Sequence, residues 1–228
     1  MLMTTKHNLI MNKIVKEIYS NTLIGSVLGF KGGTALYMFY KLPRFSVDLD
    51  FDLLDENKID IVFDEVTKIV SKFGTVTEHR QKHFNLFWLL SYKKGAKHLK
   101  IEITKRNFGS SYKVKNYLGS PALVMKKEDM FANKLTALLE RKKLANRDIF
   151  DIWFMLDEGW DLNDNLLEFR TKTKAKTYLK KCVNYLEKNP PKYILDNMGE
   201  LVDNKTKDWI KSNLIKDTIF LLKSSYNI

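Results

Sequence analysis

The sequence predicts an α+β protein of two domains, a mixed α and β domain over residues 1–115 and a helical domain over 116–228. Three observations carry this prediction. Alternation of apolar with polar residues, the period of a strand, recurs between residues 45 and 105. Apolar residues at helical spacing take over after Pro121. Gly109, Gly119, Ser120 and Pro121 gather where one regime gives way to the other.

The elements follow in order. His7 to Ser20 places Leu9, Ile10, Ile14, Val15 and Ile18 on one helical face. Leu23 to Phe30 is an apolar run leading into Gly32-Gly33, and Thr34 to Tyr40 reads as a short helix. Phe45 to Leu53 alternates strictly and predicts a strand with two different faces. Asp60 to Phe73 is a helix by the spacing of Ile61, Val62, Val66, Ile69 and Val70. Three strands follow, Thr75 to Lys82, Phe84 to Tyr92 and Leu99 to Lys105, with Gly95 in the last turn. Phe84, Phe87 and Trp88 are expected in the core rather than as a base-stacking platform. Beyond Pro121, helices are expected at Leu123 to Arg141, Arg147 to Leu156, 164–188 and 206–222, with Pro190-Pro191 as a break.

Composition narrows the class. In 228 residues, 44% hydrophobic content with 14 Phe, 10 Tyr and 4 Trp is enough for a sizeable core and argues against disorder. Lys+Arg outnumber Asp+Glu by 39 to 27. The excess is even: residues 1–110 carry 17 basic and 11 acidic groups, and residues 111–228 carry 22 and 16. A charge of +12 suits a polyanionic partner, nucleic acid or a polyphosphate, or simply solvated lysine-rich helix faces. The densest basic run, Arg170 to Lys181, fits either. One cysteine, Cys182, allows no intrachain disulfide and is expected as an ordinary packed residue. With no signal-like run and no stretch near ~18 apolar residues, a cytoplasmic protein with no membrane partner is expected.

The segment FKGGTALYMFYKLPRFSVDLDFDLL, Phe30 to Leu54, carries the chemistry. Asp48, Asp50 and Asp52 alternate with Val47, Leu49, Phe51 and Leu53, so a strand would array three carboxylates on one face. Such a row is either solvated or neutralised by a cation. A hard divalent ion such as Mg2+ favours one or two carboxylates plus phosphate oxygens. Gly32 and Gly33 let a ligand approach the backbone. If Thr34 opens a helix, its N–H groups favour phosphate at the same place. Ser46 shares the alternation of the acids, and Arg44 precedes it.

The pattern apolar-Gly-Gly-Thr, 13 residues, then Asp48-Leu49-Asp50 resembles the signature of the polymerase β-like nucleotidyltransferase superfamily. The fuller wording KGGTAL…RFSVDLDF resembles the AbiEii/AbiGii toxin family. KIEITKR (Lys100 to Arg106), VMKKEDMFANKLTAL (Val124 to Leu138) and RDIFDIWFML (Arg147 to Leu156) are similar to its later motifs, bringing in Glu102, Lys134, Asp148 and Asp151. The resemblance implies a polymerase β-like domain with a small mixed sheet followed by a helical domain. It implies an Mg2+-dependent enzyme in which two metal ions sit on Asp48, Asp50 and Glu102. Lys134 would join these three as catalytic residue and, with Gly32, Gly33, Thr34, Ser46, Asp148 and Asp151, bind the NTP. Glu102 could instead be an exposed strand residue paired to Lys100 or Lys105, Lys134 could snorkel, and the two aspartates could be a helix cap with a buried ion pair to Lys134 or Arg147. The implied function is a toxin of a type IV-like toxin–antitoxin or abortive-infection system that transfers a nucleotide to an acceptor hydroxyl, foremost the tRNA 3′ end, the substrate expected to lie in a cleft between the domains. A cognate antitoxin is implied, with no need for direct contact. A small-molecule (antibiotic) acceptor, a protein side chain, or a non-catalytic nucleic-acid-binding module are the alternatives.

Overall fold

A seven-stranded mixed sheet organises the first half of the chain in the computed structural model, which describes residues 2–95 and 97–228. Two units form: residues 1–41 with 46–125, and residues 42–45 with 126–228.

The first unit contains α1 (Leu2–Ser20), β1 (Leu28–Lys31), α2 (Gly32–Tyr40), β2 (Asp48–Leu53), α3 (Ile59–Ser71), β3 (Thr75–Gln81), β4 (Asn85–Ser91), β5 (Leu99–Thr104), β6 (Tyr112–Tyr117) and β7 (Ser120–Met125). The strand order is β3-β4-β5-β2-β1-β7-β6. β2 lies parallel to β5, and β1 parallel to β7; the other neighbours are antiparallel. One face of the sheet is the core. It carries Phe30 stacked on Phe51 at 4.9 Å, and Trp88, whose indole N–H donates to Thr67 of α3 at 2.8 Å. Tyr19 of α1 donates to the carbonyls of Leu28 and Leu123, which fastens that helix to the sheet.

The second unit contains α4 (Lys127–Glu140), α5 (Asn146–Asp157), α6 (Asp164–Thr171), α7 (Ala175–Lys188) and α8 (Asn204–Tyr226). Its core includes Phe131, Leu135, Phe150, Leu179 and Leu214. Trp153 and Trp209 bring α5 and α8 together with ring centroids 4.2 Å apart.

The structure corrects several expectations. Leu123–Met125 belong to β7, not to the start of a helix that runs to Arg141; α4 begins only at Lys127. Three apolar residues suit either period, and only the pairing of β7 with β1 and β6 decides. β6, rich in lysine, was no expected strand; it forms a hairpin with β7 through Leu118 and Gly119, both at positive φ. The second unit therefore starts at Lys126, ten residues beyond the expected 115/116 boundary, and it also takes in Leu42–Phe45. Phe45 lies outside the strand that alternation assigned to it, its N–H donating to the Leu201 carbonyl at 2.8 Å. The span 164–188 breaks at Lys172, which is left-handed and ends α6. The basic run Arg170 to Lys181 is consequently not one helix edge.

Candidate active site

The acidic face is built by strand register. Asp50 lies opposite Glu102 on β5 and opposite Lys31 on β1, while Asp48 lies opposite Lys100. Register partners share a face, so Asp48, Asp50 and Glu102 stand together on the side away from the core. β5, which carries Glu102, is the direct neighbour of β2.

Gly32 is needed by the acids themselves. Its φ is +76°, and a Cβ there would stand 2.6 Å from Asp50 Oδ2. The bare corner and the row of acids are one packing unit. Gly32 and Gly33 open α2, whose N-cap Lys31 supplies no side-chain capping bond and is the register partner of Asp50, so the helix begins beside that carboxylate. Thr34, fully buried, spends its hydroxyl on the Asp48 carbonyl, tying α2 to the first residue of β2. The structure thus gives the Thr34 side chain an anchoring contact; its backbone stays in the helix start. Ser46 is buried, two residues ahead of the strand.

Two lysines balance the acids. Lys100 Nζ lies 3.7 Å from Asp48 Oδ2 and 3.5 Å from Glu102 Oε2. Lys31 Nζ bonds Asp52 Oδ1 at 2.5 Å, and Tyr112 donates to the other oxygen of Asp52. Asp52 is thereby neutralised within the fold, leaving Asp48, Asp50 and Glu102 as the candidate ligands. Glu102 Oε1 accepts from Asn85 Nδ2 at 2.6 Å, which orients its carboxylate. Burial pushes the Asp50 carboxyl above the usual aspartate range; Lys100 and Lys31 pull it down, while Asp48 and Glu102 add to the rise. A further cation here would lower the electrostatic energy of all three carboxylates. The donor chemistry therefore fits a hard divalent ion. Among the described residues, however, no three acidic, histidine or cysteine side chains are already disposed around one point. The Lys100 ammonium stands among them instead.

His7 was assigned nothing by the sequence. It is buried, with Nε2 2.9 Å from the Val47 carbonyl and Nδ1 2.6 Å from the Tyr92 hydroxyl, so it braces the residue before Asp48. Burial lowers its pKa, against the Val47 carbonyl and Asp48.

Lys134, Asp148 and Asp151 lie in the second unit and are partners of one another. Lys134 Nζ is 2.8 Å from Asp148 Oδ1 and 2.6 Å from Asp151 Oδ2. Arg44 reaches both oxygens of Asp151 with Nε and Nη2, each at 2.7 Å, and Arg141 Nε lies 2.7 Å from Asp148 Oδ2. Burial drives Lys134 toward neutrality, but Asp148 and Asp151 outweigh it and leave its pKa above the ordinary lysine value, Arg44 opposing them. For Asp148, burial is likewise overcome, here by Lys134 and Arg141, and its pKa is lowered. Asp148 caps nothing: Ala145 is the N-cap of α5. The buried ion pair is the arrangement found, with Lys134 as partner, and the sequence missed Arg44 and Arg141 as its other members.

A family model described as "Nucleotidyl transferase AbiEii toxin, Type IV TA system" matches residues 15–213. Among solved structures, JHP933 from Helicobacter pylori is 21% identical with a TM-score of 0.59, covering 98% of this chain and 95% of its own. A candidate nucleotidyltransferase from the same organism is also 21% identical, with a TM-score of 0.61 and 97% coverage of both chains. An antigenic nucleotidyltransferase-like protein from Paracoccidioides brasiliensis is 15% identical, with a TM-score of 0.50 over 87% of this chain and 94% of that one. At these identities the likeness is one of fold. No curated protein matches the chain.

Proposed function

Because the chain belongs to the AbiEii family of nucleotidyl transferase toxins of type IV toxin–antitoxin systems, we propose that it moves a nucleoside monophosphate from an NTP to an acceptor hydroxyl, foremost the 3′ end of tRNA. The observation that carries this reading is the register of β2 and β5, which sets Glu102 beside Asp50 on the face opened by Gly32.

The residues divide the work. The first-turn N–H groups of α2, from Gly32, Gly33 and Thr34, face phosphate oxygens. Ser46 lies near the same strand end and would contact the triphosphate. Asp48, Asp50 and Glu102 would hold Mg2+, two ions in the reading the resemblance implies. When bound, Mg2+ supplies charge neutralisation at the triphosphate and acidifies the attacking hydroxyl. Glu102, oriented by Asn85, accepts the proton of that hydroxyl. Lys100, which stands between Asp48 and Glu102, would be available to pair with a phosphate oxygen if those carboxylates held Mg2+. The acceptor oxygen then bonds the α-phosphorus, and pyrophosphate leaves with the electron pair of the broken bond. Lys134, Asp148 and Asp151 pair with one another within the second unit; the contact of Lys134 with the triphosphate that the resemblance implies would require it to leave those carboxylates. An antitoxin partner comes with the family, and direct binding to it is not required by this scheme.

The test uses NTP labelled at either the α or the γ phosphate. Transfer of the α label alone, lost in Asp48→Ala and Asp50→Ala with thermal stability retained, is expected. Transfer of the γ label, or full turnover in either variant, contradicts the assignment.

A further inference from the structure

The acid-bearing face does not stop at Glu102. Its register partner on β4 is Phe87, and the partner of Phe87 on β3 is Arg80, so one row across the sheet reads Arg80, Phe87, Glu102, Asp50, Lys31. The sequence placed Phe84 and Phe87 in the core with Trp88. Only Trp88 is there: Phe87 is half-buried on the opposite face, and Phe84 is 53% exposed at the β3–β4 turn. Cations accompany both rings. Lys82 Nζ lies 4.1 Å from the Phe87 centroid, and the Arg106 guanidinium lies 5.1 Å from both Phe84 and Phe108. Arg80 pairs with Glu78, two residues before it on β3, at 3.0 Å.

We infer that this strip, from the Phe84–Arg106 stack to Phe87, is the docking surface for a single-stranded RNA 3′ end that delivers its terminal hydroxyl to the carboxylates. The inference rests on the nucleotidyl-transfer reading of those carboxylates and adds where the acceptor binds. Three features favour RNA over another occupant. Aromatic faces on an open sheet take unstacked bases, as every base has a π-face. Lys82, Arg80 and Arg106 complement the phosphates that link them. The strip runs straight into the reacting centre: Phe87 and Asp50 are separated by two strand spacings, about 10 Å. A double helix cannot offer its bases this way, so the strip selects a single-stranded end.

The test is anisotropy of a fluorescent RNA hairpin with a four-nucleotide 3′ overhang, titrated with full-length Asp50→Asn protein without NTP. Phe84→Ala and Phe87→Leu should each weaken binding about 5- to 100-fold, the loss of one base–aromatic stack. Lys82→Gln should reduce the salt slope by about one. A blunt hairpin should bind more weakly than the overhang, and Lys180→Ala, on α7, should change nothing. Equal binding of blunt and overhang RNA, or unchanged affinity in both phenylalanine variants with intact melting curves, overturns the inference. The outcome is separable from that of the enzyme reading. α-Label transfer to RNA that ignores all three strip variants rejects the strip and keeps the enzyme. Overhang-selective binding lost in those variants, in a protein that transfers nothing, keeps the strip and rejects the enzyme. Transfer to a protein side chain with no RNA bound also rejects the strip.

Discussion

Gly32→Ala separates backbone strain from damage to the site. At φ +76° any Cβ is strained, by about 1–2 kcal/mol. In a chain of this size that corresponds to a melting temperature lower by roughly 2–8 °C. The second effect is local. The new methyl would lie 2.6 Å from Asp50 Oδ2, so the carboxylate must retreat by about 0.8 Å to reach ordinary contact. A displacement of that order at a reacting centre costs about 100-fold in rate. Gly119→Ala is the control. Its φ is +87°, and a Cβ there meets nothing within 4 Å. It should lose similar stability and no activity. The assay is α-label transfer alongside thermal melting for both variants. Gly32→Ala activity within twofold of wild type, or an equal activity loss in Gly119→Ala, would refute the claim that Gly32 is there to seat Asp50.

Other predictions concern charge and packing. Arg44→Ala strips a bidentate partner from fully buried Asp151, and should destabilise by about 3–5 kcal/mol; a loss below 1 kcal/mol by denaturant titration contradicts the buried network. Because Asp50 has a raised pKa in the fold, its ionisation opposes folding, and stability falls as pH climbs through that raised value. Asp50→Asn should therefore melt higher than wild type at neutral pH while losing transfer, with the gap closing toward pH ~4; a lower melting temperature at pH 7 contradicts this. Asp148 has the opposite sign. Its lowered pKa contributes stability at neutral pH that disappears as pH drops below the ordinary value of 3.8, so Asp148→Asn should be less stable at pH 7 and approach wild type in strong acid. Cys182 is fully buried and its thiol is pushed up to about 12, so maleimide labelling should be negligible in the native protein and rapid after unfolding.

The row of acids was legible because a two-residue period needs nothing but local sequence, and the glycine corner because glycine pairs are rare outside turns. Their connection was only half legible: that Gly32 exists to admit Asp50 depends on β1 lying beside β2. Lys100 was legible as a partner of Glu102, since it stands two residues before it on the same face of one strand, and the two lie 3.5 Å apart. The Arg44–Asp151 pair could not, because 107 residues separate its members. Phe87 was misread through its residue type. Strict alternation with Leu86, Trp88 and Leu90 already placed it on the other face, and hydrophobicity was allowed to overrule period. The β6–β7 hairpin was missed for the converse reason, its lysines masking an alternation that pairing makes plain.

Nucleotide transfer to RNA by Asp50 and its neighbours is what we propose for this chain. Incubating the protein with Mg2+, each α-labelled NTP in turn and total tRNA, beside Asp50→Ala, tests it most directly. Label is expected on tRNA with the intact protein only, and none when the tRNA 3′ end has been blocked by periodate oxidation. Label on blocked tRNA, or equal labelling by Asp50→Ala, would contradict it.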